Sequence, residues 1–484
     1  MRNQVGRRGG SAAARPGWAG ERFGAWLARP LASFHLVVTI ATLLTVLGLV
    51  MVLSASSVEA YAGGGSAYSL FIQQAMFAGL GAVAFYIALR LPLRLVRQWS
   101  FPIFSISVLA LVLVLIPGIG SIHGGARRWF DIGPLSIQPS EVVKVTLVVW
   151  GAHLLASRRG GQLKDILVPL VPAGLLVCLL VVLEPNLSTT IALGIVLMAL
   201  LWFGGLPVRL FVGIMVTGLV AASILALSAG YRSDRVRAFF NPGDDPQGVN
   251  YQARQAKYSL ADGGIWGRGL GQSRAKWSYL PNSHNDFIFA IIGEELGFLG
   301  CMLVLALFAL FVYAGIRIAL RSVDPFLRLL TATATTWITV QALINIGYVV
   351  GLLPVTGLQL PLVSAGGSSL AITLFMFGII ASAARHEPEA VSALQNGQDG
   401  RVSRLLRLPI PEVYSPARAD APRKPARPKA ERPRQTPRRP APTERRRRAP
   451  ESRGTSSLRS TRAWEPTYPM PHRPVKRRTG GGGG

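Results

Sequence analysis

The sequence has few cysteines and few acidic residues. Its two cysteines, Cys178 and Cys301, both lie within apolar stretches, where cysteines usually act as small core residues. A pair so placed excludes a disulfide framework and the ligand spacing of a zinc site. No Ser-His-Asp set stands out, and no pair of carboxylates suits a two-carboxylate glycosidase. The sequence therefore argues against the disulfide-rich, zinc-binding and common hydrolase classes.

Acidic residues number 23 against 51 lysines and arginines, yet 50% of the residues are hydrophobic. These two properties separate along the chain. Residues 34–384 alternate long apolar runs with short polar loops, whereas from residue 385 onward we count 24 basic and 9 acidic residues. We therefore predict a basic N-terminal segment over 1–33, a membrane domain over 34–384 and a basic tail over 385–484.

Ten apolar segments approach the roughly 20 residues that a helix needs to cross a bilayer. They lie at about 34–55, 68–90, 101–118, 141–156, 166–183, 187–204, 208–230, 287–319, 327–351 and 360–384. No small-residue cleavage site follows the first segment, so it is interpreted as a retained helix rather than a signal peptide. The fourth is marginal because Glu141 and Lys144 fall in its first turn. The predicted fold class is an all-α polytopic membrane protein with about ten transmembrane helices.

The charge of short loops predicts the orientation of these segments. Basic residues fill the N-terminal segment and follow the second, fourth and eighth apolar segments, while the loops 56–67, 183–187 and 352–359 contain none. Both termini are therefore predicted to lie on the cytoplasmic side of the cytoplasmic membrane. Two outer stretches, 119–140 and 231–286, are basic and break this pattern, which long loops tolerate.

The large outer loop 231–286 separates the seventh and eighth segments. Its cations Arg235 and Lys276 are candidates for contacting an anionic ligand, although lipid phosphates would satisfy them equally well. Gln252 lies on one face of a short helix predicted to lie along the membrane surface. The glycine-rich strip 263–271 is not a nucleotide loop, because no Walker lysine and no strand accompany it. Its glycines let the backbone approach a ligand or fold tightly.

A polar cluster lies at 124–144, before the fourth segment. Arg128 offers donors that suit phosphate oxygens, and Trp129 suits a membrane interface or the flat face of a sugar. Glu141 and Lys144 are three residues apart, so they share a helix face and could neutralise each other. An interfacial hairpin followed by an ion pair that eases helix insertion would account for the same residues.

Asp286 stands where the outer loop meets the eighth segment. An ionisable group there is costly to desolvate and is by default a candidate functional residue. If 284–297 is helical, Asp286 shares a face with small residues, Gly293 and Gly297 among them, which would form a groove or a close helix contact. Capping of a helix by its charge is the simpler explanation. The neighbouring His284 and the basic loop favour the explanation that Asp286 has a functional role.

Four stretches together resemble the SEDS family of membrane glycosyltransferases. They are Gly-Ala-Arg-Arg-Trp-Phe-Asp-Ile-Gly-Pro…Gln-Pro-Ser-Glu (125–141), Asn-Pro…Gly…Tyr-Gln…Gln (241–255), His-Asn-Asp-Phe-Ile-Phe-Ala-Ile-Ile-Gly-Glu-Glu-Leu-Gly (284–297) and Leu-Pro-Val-Thr-Gly…Leu-Pro-Leu-Val-Ser-Ala-Gly-Gly-Ser-Ser (353–369). The stretches follow the family order, and the resemblance covers about 34–384. The fourth breaks apolar sequence with prolines and glycines, which is tolerated where backbone lines a cavity. The motifs are most similar to the actinobacterial cell-division branch, with the elongation branch as the alternative.

The resemblance implies polymerisation of lipid II into glycan strands on the outer face of the membrane. The family's essential aspartate corresponds to Asp286, the tryptophan of its Arg-Trp motif to Trp129, and its membrane-embedded acid and lysine to Glu141 and Lys144. Further candidate substrate contacts within the matched motifs are Gln252, His284 and Ser364.

Two positions depart from the family pattern. Asn186 stands where many relatives have aspartate, which puts a carboxylate function there in doubt. Ala365 stands where many have tyrosine, so an aromatic contact is missing.

The implied reaction needs the 4-hydroxyl of an acceptor sugar to attack the anomeric carbon of a donor that carries a polyprenyl pyrophosphate. One carboxylate, Asp286, can serve as general base, and inversion accounts for a single carboxylate. The pyrophosphate needs cations more than a general acid, so Arg128 is the first candidate to stabilise it. No cofactor is required by this scheme, and the need for a divalent cation stays open.

The resemblance also implies partners. The family usually works with a class B penicillin-binding protein, and other division proteins are expected at the septum. The tail is predicted to be disordered from about 386, and to rest on anionic membrane lipids or to dock such proteins through Tyr414, Trp464 or Tyr468. No nucleic-acid fold accompanies its charge. A lipid II flippase and a non-catalytic scaffold are the alternative functions.

Overall fold

In the computed structural model, the membrane domain is a bundle of helices with a small sheet at one end. The structure describes residues 24–25, 27–62, 68–123, 125–133, 135–157, 163–228, 239–240, 249–274, 284–397, 404 and 406–415. Its helices are α1 (Ala32–Ala62), α2 (Ser69–Arg90), α3 (Leu93–Gln98), α4 (Ser100–Leu115), α5 (Pro139–Ser157), α6 (Leu163–Leu183), α7 (Leu187–Phe203), α8 (Val208–Ser228), α9 (Val249–Gly263), α10 (Ile288–Arg321), α11 (Pro325–Val349), α12 (Ser368–Arg385) and α13 (Pro388–Gln395).

The predicted helical membrane fold is confirmed. Among the described residues, seven helices are long and apolar enough to cross a membrane, namely α1, α2, α5, α8, α10, α11 and α12. Three shorter apolar helices, α4, α6 and α7, accompany them. Each of the ten predicted segments overlaps one of these helices.

Burial divides the helices into an inner and an outer group. The apolar segments of α5, α11 and α12 are mostly buried, and α11 contacts α5, α7 and α10. By contrast, the described residues of α8 include none that is buried, and side chains such as Leu219 and Ile224 are more than 60% exposed. A face so apolar and so exposed is typical of a lipid-facing helix.

Polar residues fix the starts of two inner helices. The Asp324 side chain accepts a hydrogen bond from the main-chain N–H of Phe326 (3.0 Å), and Pro325 occupies the first helical position of α11. The Asn186 side chain accepts from the N–H of Thr189 (3.2 Å) at the start of α7. Each cap satisfies a main-chain donor that the first turn leaves open.

A small antiparallel sheet lies between α4 and α5, which the all-α prediction did not include. Its strands are β1 (Ser121–His123), β2 (Ala126–Ile132) and β3 (Leu135–Ile137), in that order. Trp129 stands opposite Ser121, and Phe130 stands opposite Ile137. The alternative interpretation of this stretch as a hairpin was therefore the correct local structure.

Two boundaries near Asp286 and the broken motif differ from the predictions. The stretch 284–297 is not one helix, because α10 begins at Ile288 and Gly297 adopts a non-helical φ of 67°. The tenth predicted segment began at 360, whereas α12 begins at Ser368, because the backbone from 350 to 367 is irregular.

Part of the tail is ordered, so the prediction of disorder from about 386 is wrong for these residues. Helix α13 follows α12 directly, and residues 406–415 lie against the loop between α2 and α3. Arg90 donates to the carbonyl of Arg407 (2.6 Å), and Arg94 pairs with Glu412 (2.8 Å). Composition missed this order because basic residues of the membrane domain bind the segment, which supplies few apolar contacts of its own. Trp464 and Tyr468 lie outside the described residues.

Candidate functional site

A cavity of about 670 Å³ lies where the sheet, the turn before α7, the turn before α10 and the irregular segment 350–367 meet. Its polar and charged lining residues include Arg128, Trp129, Gln138, Glu141, Lys144, Asn186, Asn285, Asp286, Gln341 and Gln359. Five of the ten predicted site residues are therefore brought together here: Arg128, Trp129, Glu141, Lys144 and Asp286.

Hydrogen bonds to its main-chain carbonyl hold Asp286 in place. It lies in the turn just before α10 and is half-buried. Its carbonyl oxygen accepts hydrogen bonds from the Asn345 side chain (3.0 Å) and the Tyr348 hydroxyl (2.7 Å), both on α11. These contacts use the carbonyl, so they fix the backbone of Asp286, and the residue lines the cavity.

Asn345 and Tyr348 also bind the segment 350–367. The Asn345 amide donates to the carbonyl of Leu358 (2.7 Å), and the single proton of the Tyr348 hydroxyl is shared between that carbonyl (2.9 Å) and the carbonyl of Asp286. Both side chains are fully buried. They therefore tie the turn that carries Asp286 to the segment 350–367. The sequence analysis missed them, although their spacing of three residues in an apolar helix is a signal of a shared polar face.

Glu141 and Lys144 form the ion pair that their spacing predicted. Lys144 Nζ lies 2.7 Å from Glu141 Oε1, and the two side chains are only 2% and 9% exposed. The ammonium also lies 5.1 Å from the centre of the Trp337 ring, where the ring face attracts a cation. Each charge on this first part of α5 is thus compensated by a specific neighbour, as a charge within a membrane helix requires.

Arg128 reaches from β2 to the turn between α6 and α7. Its Nε donates to the carbonyl of Glu184 (2.8 Å), and its terminal nitrogen donates to the carbonyl of Pro185 (2.6 Å). The two carbonyl acceptors orient the guanidinium, and Arg128 lines the cavity wall. Trp129, the next residue, lines the same wall.

Asn186 stands where the family pattern described above has aspartate, and the structure gives it a different role. Its side chain lines the cavity but caps α7, as described above. Two residues later, the Ser188 hydroxyl donates to the carbonyl of Thr356 (2.5 Å), which joins the start of α7 to the segment 350–367. The described contacts of this turn are therefore structural ones.

Three predicted contacts lie outside the cavity lining. Gln252 is half-buried on α9. The Ser364 hydroxyl is buried and accepts from the N–H of Leu360 (2.8 Å), so it stabilises its own loop and does not face the cavity. His284 accepts a main-chain hydrogen bond from Ala365 (3.1 Å). The remaining two predicted contacts, Arg235 and Lys276, lie outside the described residues.

The glycine-rich strip folds tightly against α10, which decides between its two interpretations. A Cβ on Gly267 would collide with the backbone of α10, and one on Gly297 would collide with the backbone around Gly267. The carboxylates of Glu294 and Glu295 accept hydrogen bonds from Ser273, just after the strip: Glu294 from its hydroxyl (2.7 Å) and Glu295 from its main-chain N–H (3.4 Å). Of the groove and the close helix contact predicted below Asp286, the structure has a close contact between backbones.

One side of the cavity is apolar and faces the lipid. Ile191 of α7 and Leu219, Ala222 and Leu227 of α8 line it. Because α8 has no buried residue among those described, this wall separates the cavity from the bilayer by a single helix.

The residues that the structure describes, in the cavity and outside it, contain no group of three or more His, Cys, Asp or Glu side chains that could hold a metal ion.

Known proteins are similar to this chain in sequence and in fold. A sequence model of the family FTSW_RODA_SPOVE, described as "Cell cycle protein", matches residues 34–389. The chain is 56% identical over 419 residues to proteins named "Probable peptidoglycan glycosyltransferase FtsW" from Mycobacterium tuberculosis and Mycobacterium bovis, which covers 86% of this chain and 80% of each relative. It is 37% identical over 353 residues to "Stage V sporulation protein E" of Bacillus subtilis, which covers 72% of this chain and 96% of the relative.

Solved structures agree with the sequence relatives. The Thermus thermophilus rod shape determining protein RodA matches with a TM-score of 0.56 and 27% identity, over 75% of this chain and 99% of that one. A chain from a peptidoglycan synthase complex, described as "Structural coordination of polymerization and crosslinking", matches with a TM-score of 0.60 and 28% identity, over 73% of this chain and 97% of that one. From its motifs, its helical bundle and these matches, the chain is a polytopic membrane protein that belongs to the FtsW/RodA/SpoVE family.

Proposed function

We propose that the chain is a peptidoglycan glycosyltransferase that polymerises lipid II into glycan strands for cell division. The observation that carries the proposal is the cavity, which joins Asp286, the cation Arg128 and a buried ion pair to an apolar wall facing the lipid. Lipid II combines a sugar, a pyrophosphate and a polyprenyl chain, and each of these parts has a matching surface there.

Asp286 is proposed as the general base. The carboxyls that line the cavity among described residues are those of Asp286 and Glu141. Glu141 is bound to Lys144 at 2.7 Å, which suits it for orienting sugar hydroxyls. Asp286 would remove the proton from the 4-hydroxyl of the acceptor as that oxygen attacks the anomeric carbon. One carboxylate suffices when configuration is inverted and the leaving group needs no proton.

Arg128 is proposed to bind the pyrophosphate. As the bond from the anomeric carbon to the phosphate oxygen breaks, negative charge grows on the leaving pyrophosphate. A guanidinium that is already oriented by the two carbonyls stabilises this charge without reorganising. Trp129 would offer its face to the adjoining sugar. The polyprenyl chain would pass along the apolar wall of α7 and α8 into the bilayer.

The wider setting of the activity is also a proposal. The orientation with both termini in the cytoplasm follows from the loop charges, and it places the cavity on the outer face, where lipid II would be used. We further propose a class B penicillin-binding protein as partner, because one structural match comes from a peptidoglycan synthase complex. Division rather than elongation is favoured by the FtsW names of the 56% identical relatives. Septal location and docking of other division proteins by the tail follow from that setting.

A polymerisation assay tests the proposal. The purified protein, with its transpeptidase partner, is given lipid II in detergent micelles, and glycan products are separated on a gel. In micelles no transport across a membrane is needed, so the formation of glycan product distinguishes an enzyme from a flippase or a non-catalytic scaffold. Asp286→Asn should abolish the polymer. Asp262→Asn is the matched control, because Asp262 lies at the end of α9 outside the cavity and pairs with Arg268. Normal polymer from Asp286→Asn, or none from the unmodified complex, would refute the proposal.

A further inference from the structure

Glu184 is a buried acid that the proposed mechanism does not use. It lies in the short turn between α6 and α7, next to Pro185 and Asn186 of the cavity wall. Its exposure is 0%, and neither carboxyl oxygen has a hydrogen-bond partner among the described residues. An ionised carboxyl in such a place would carry a desolvation cost of several kcal/mol, which protonation removes. Burial accordingly raises the pKa of Glu184 to about 8, and the nearby charge of Arg128 offsets only part of that increase.

Glu184 and Arg128 are joined through the main chain. The guanidinium of Arg128 donates to the carbonyls of Glu184 and Pro185. The acid therefore lies near the cation of the cavity wall, close enough for their charges to interact. Three other charged residues line the cavity: Glu141 and Lys144, which neutralise each other, and Asp286, the proposed base.

We propose that Glu184 is a positioning residue for Arg128, and that its neutral carboxyl keeps the positive charge of Arg128 available to the pyrophosphate of the substrate. This inference rests on the proposed function, because it uses Arg128 as the pyrophosphate ligand. When Glu184 loses its proton, its negative charge neutralises the guanidinium and draws it away from the cavity. Arg128 itself stays protonated throughout, so the proton on Glu184 decides whether a negative charge lies near the guanidinium.

The sign of the pH effect follows directly. At pH 7, one unit below the pKa, most Glu184 carboxyls are neutral, and at pH 9 most are ionised. If the ionised form does not support catalysis, activity falls about tenfold between these values through this group alone. The amide of Glu184→Gln cannot ionise, so this variant should lack that part of the alkaline loss.

The experiment compares pH profiles. Polymerisation by the complex is measured at pH 7 and pH 9, and the ratio of the two rates is taken for each variant. Glu184→Gln should raise the pH 9 to pH 7 ratio several-fold above that of the unmodified protein. Glu184→Asp keeps a titrating carboxyl and should retain the alkaline loss. Glu387→Gln is the matched control, because burial also raises the pKa of Glu387, to about 7, but this acid lies beside Arg321 and outside the cavity. Equal ratios for all variants, or a raised ratio for Glu387→Gln, would overturn the proposal.

A second measurement does not depend on catalysis. Infrared difference spectra between pH 7 and pH 10, recorded in an ester-free detergent, show the carbonyl band of any protonated carboxyl that ionises over this range. Part of this band should be missing in Glu184→Gln. If the band is unchanged, Glu184 is not protonated and the inference fails even though the protein polymerises lipid II. If the band changes but Asp286→Asn remains active, the proposed mechanism fails while the proton on Glu184 stands.

Discussion

The ion pair of Glu141 and Lys144 leads to a quantitative prediction about stability. Glu141→Gln leaves the Lys144 ammonium, which is 2% exposed, without its carboxylate. Breaking a buried pair from one side costs about 3–5 kcal/mol, because the remaining charge stays desolvated. The pair borders the cavity, which admits water, so we expect the lower end of that range, about 3 kcal/mol.

Removing both charges should recover much of this loss. In the double variant Glu141→Gln/Lys144→Met, no charge remains buried, and replacing a whole buried pair is often neutral for stability. We therefore expect the double variant to be more stable than either single variant, by about 2 kcal/mol or more. The Trp337 ring loses its cation in this variant, which costs about 0.5–2 kcal/mol and limits the recovery.

The measurement is the free energy of unfolding from a denaturant series in detergent, followed by tryptophan fluorescence. The pair of Arg94 and Glu412 offers a matched control, because its N–O distance is 2.8 Å but its side chains are 53% and 67% exposed. Glu412→Gln should cost less than about 1 kcal/mol. If Glu141→Gln costs no more than Glu412→Gln, or if the two single effects simply add in the double variant, the pair is not a desolvated one.

Three further predictions test the cavity and its support. Arg128→Ala should remove glycan polymer from the gel while the purified protein keeps its size-exclusion profile; normal polymer would exclude Arg128 from the mechanism. Tyr348→Phe loses the hydroxyl bound to the carbonyl of Asp286 and should lower the free energy of unfolding by about 1–2 kcal/mol and slow polymerisation, whereas unchanged values for both would show that this hydrogen bond does not support the site. Gly267→Ala should destabilise by about 1–3 kcal/mol, since its φ is +80° and its Cβ would meet the backbone of α10. Gly264→Ala, with a φ of +56° but no atom within 4 Å, should be milder in the same denaturant series, and an equal loss would mean that the collision contributes nothing.

Local rules predicted the features that depend on neighbours along the chain. Helix periodicity is enough to predict that Glu141 pairs with Lys144, because the two lie three positions apart and share one side of the helix. The apolar segments likewise depend on composition alone. The same kind of reasoning failed for 284–297, because Gly297 leaves the helical conformation to let another backbone approach. Periodicity cannot register a contact with the strip around Gly267, which lies about thirty residues earlier.

Contacts between distant segments account for what the sequence did not predict. Arg128 was expected at a phosphate, but the carbonyls that orient it belong to residues 184 and 185, and any carbonyl in the chain would look the same in sequence. Ser364 belongs to a matched motif, yet its hydroxyl serves its own loop. Motifs therefore identified the region of the site, and only the fold distinguished residues facing the cavity from those supporting it.

The double anchorage by Asn345 and Tyr348 has a mechanical consequence. Both side chains hold the turn of Asp286 and the segment 350–367 at once, so these two walls form one rigid block with α11. Motion of one relative to the other would break the buried hydrogen bonds that Asn345 and Tyr348 make to one of the two carbonyls. Any widening that admits a polymer must then hinge on the opposite side, where α8 buries none of its described residues. Asp286 would keep its position while the growing glycan strand moves past it.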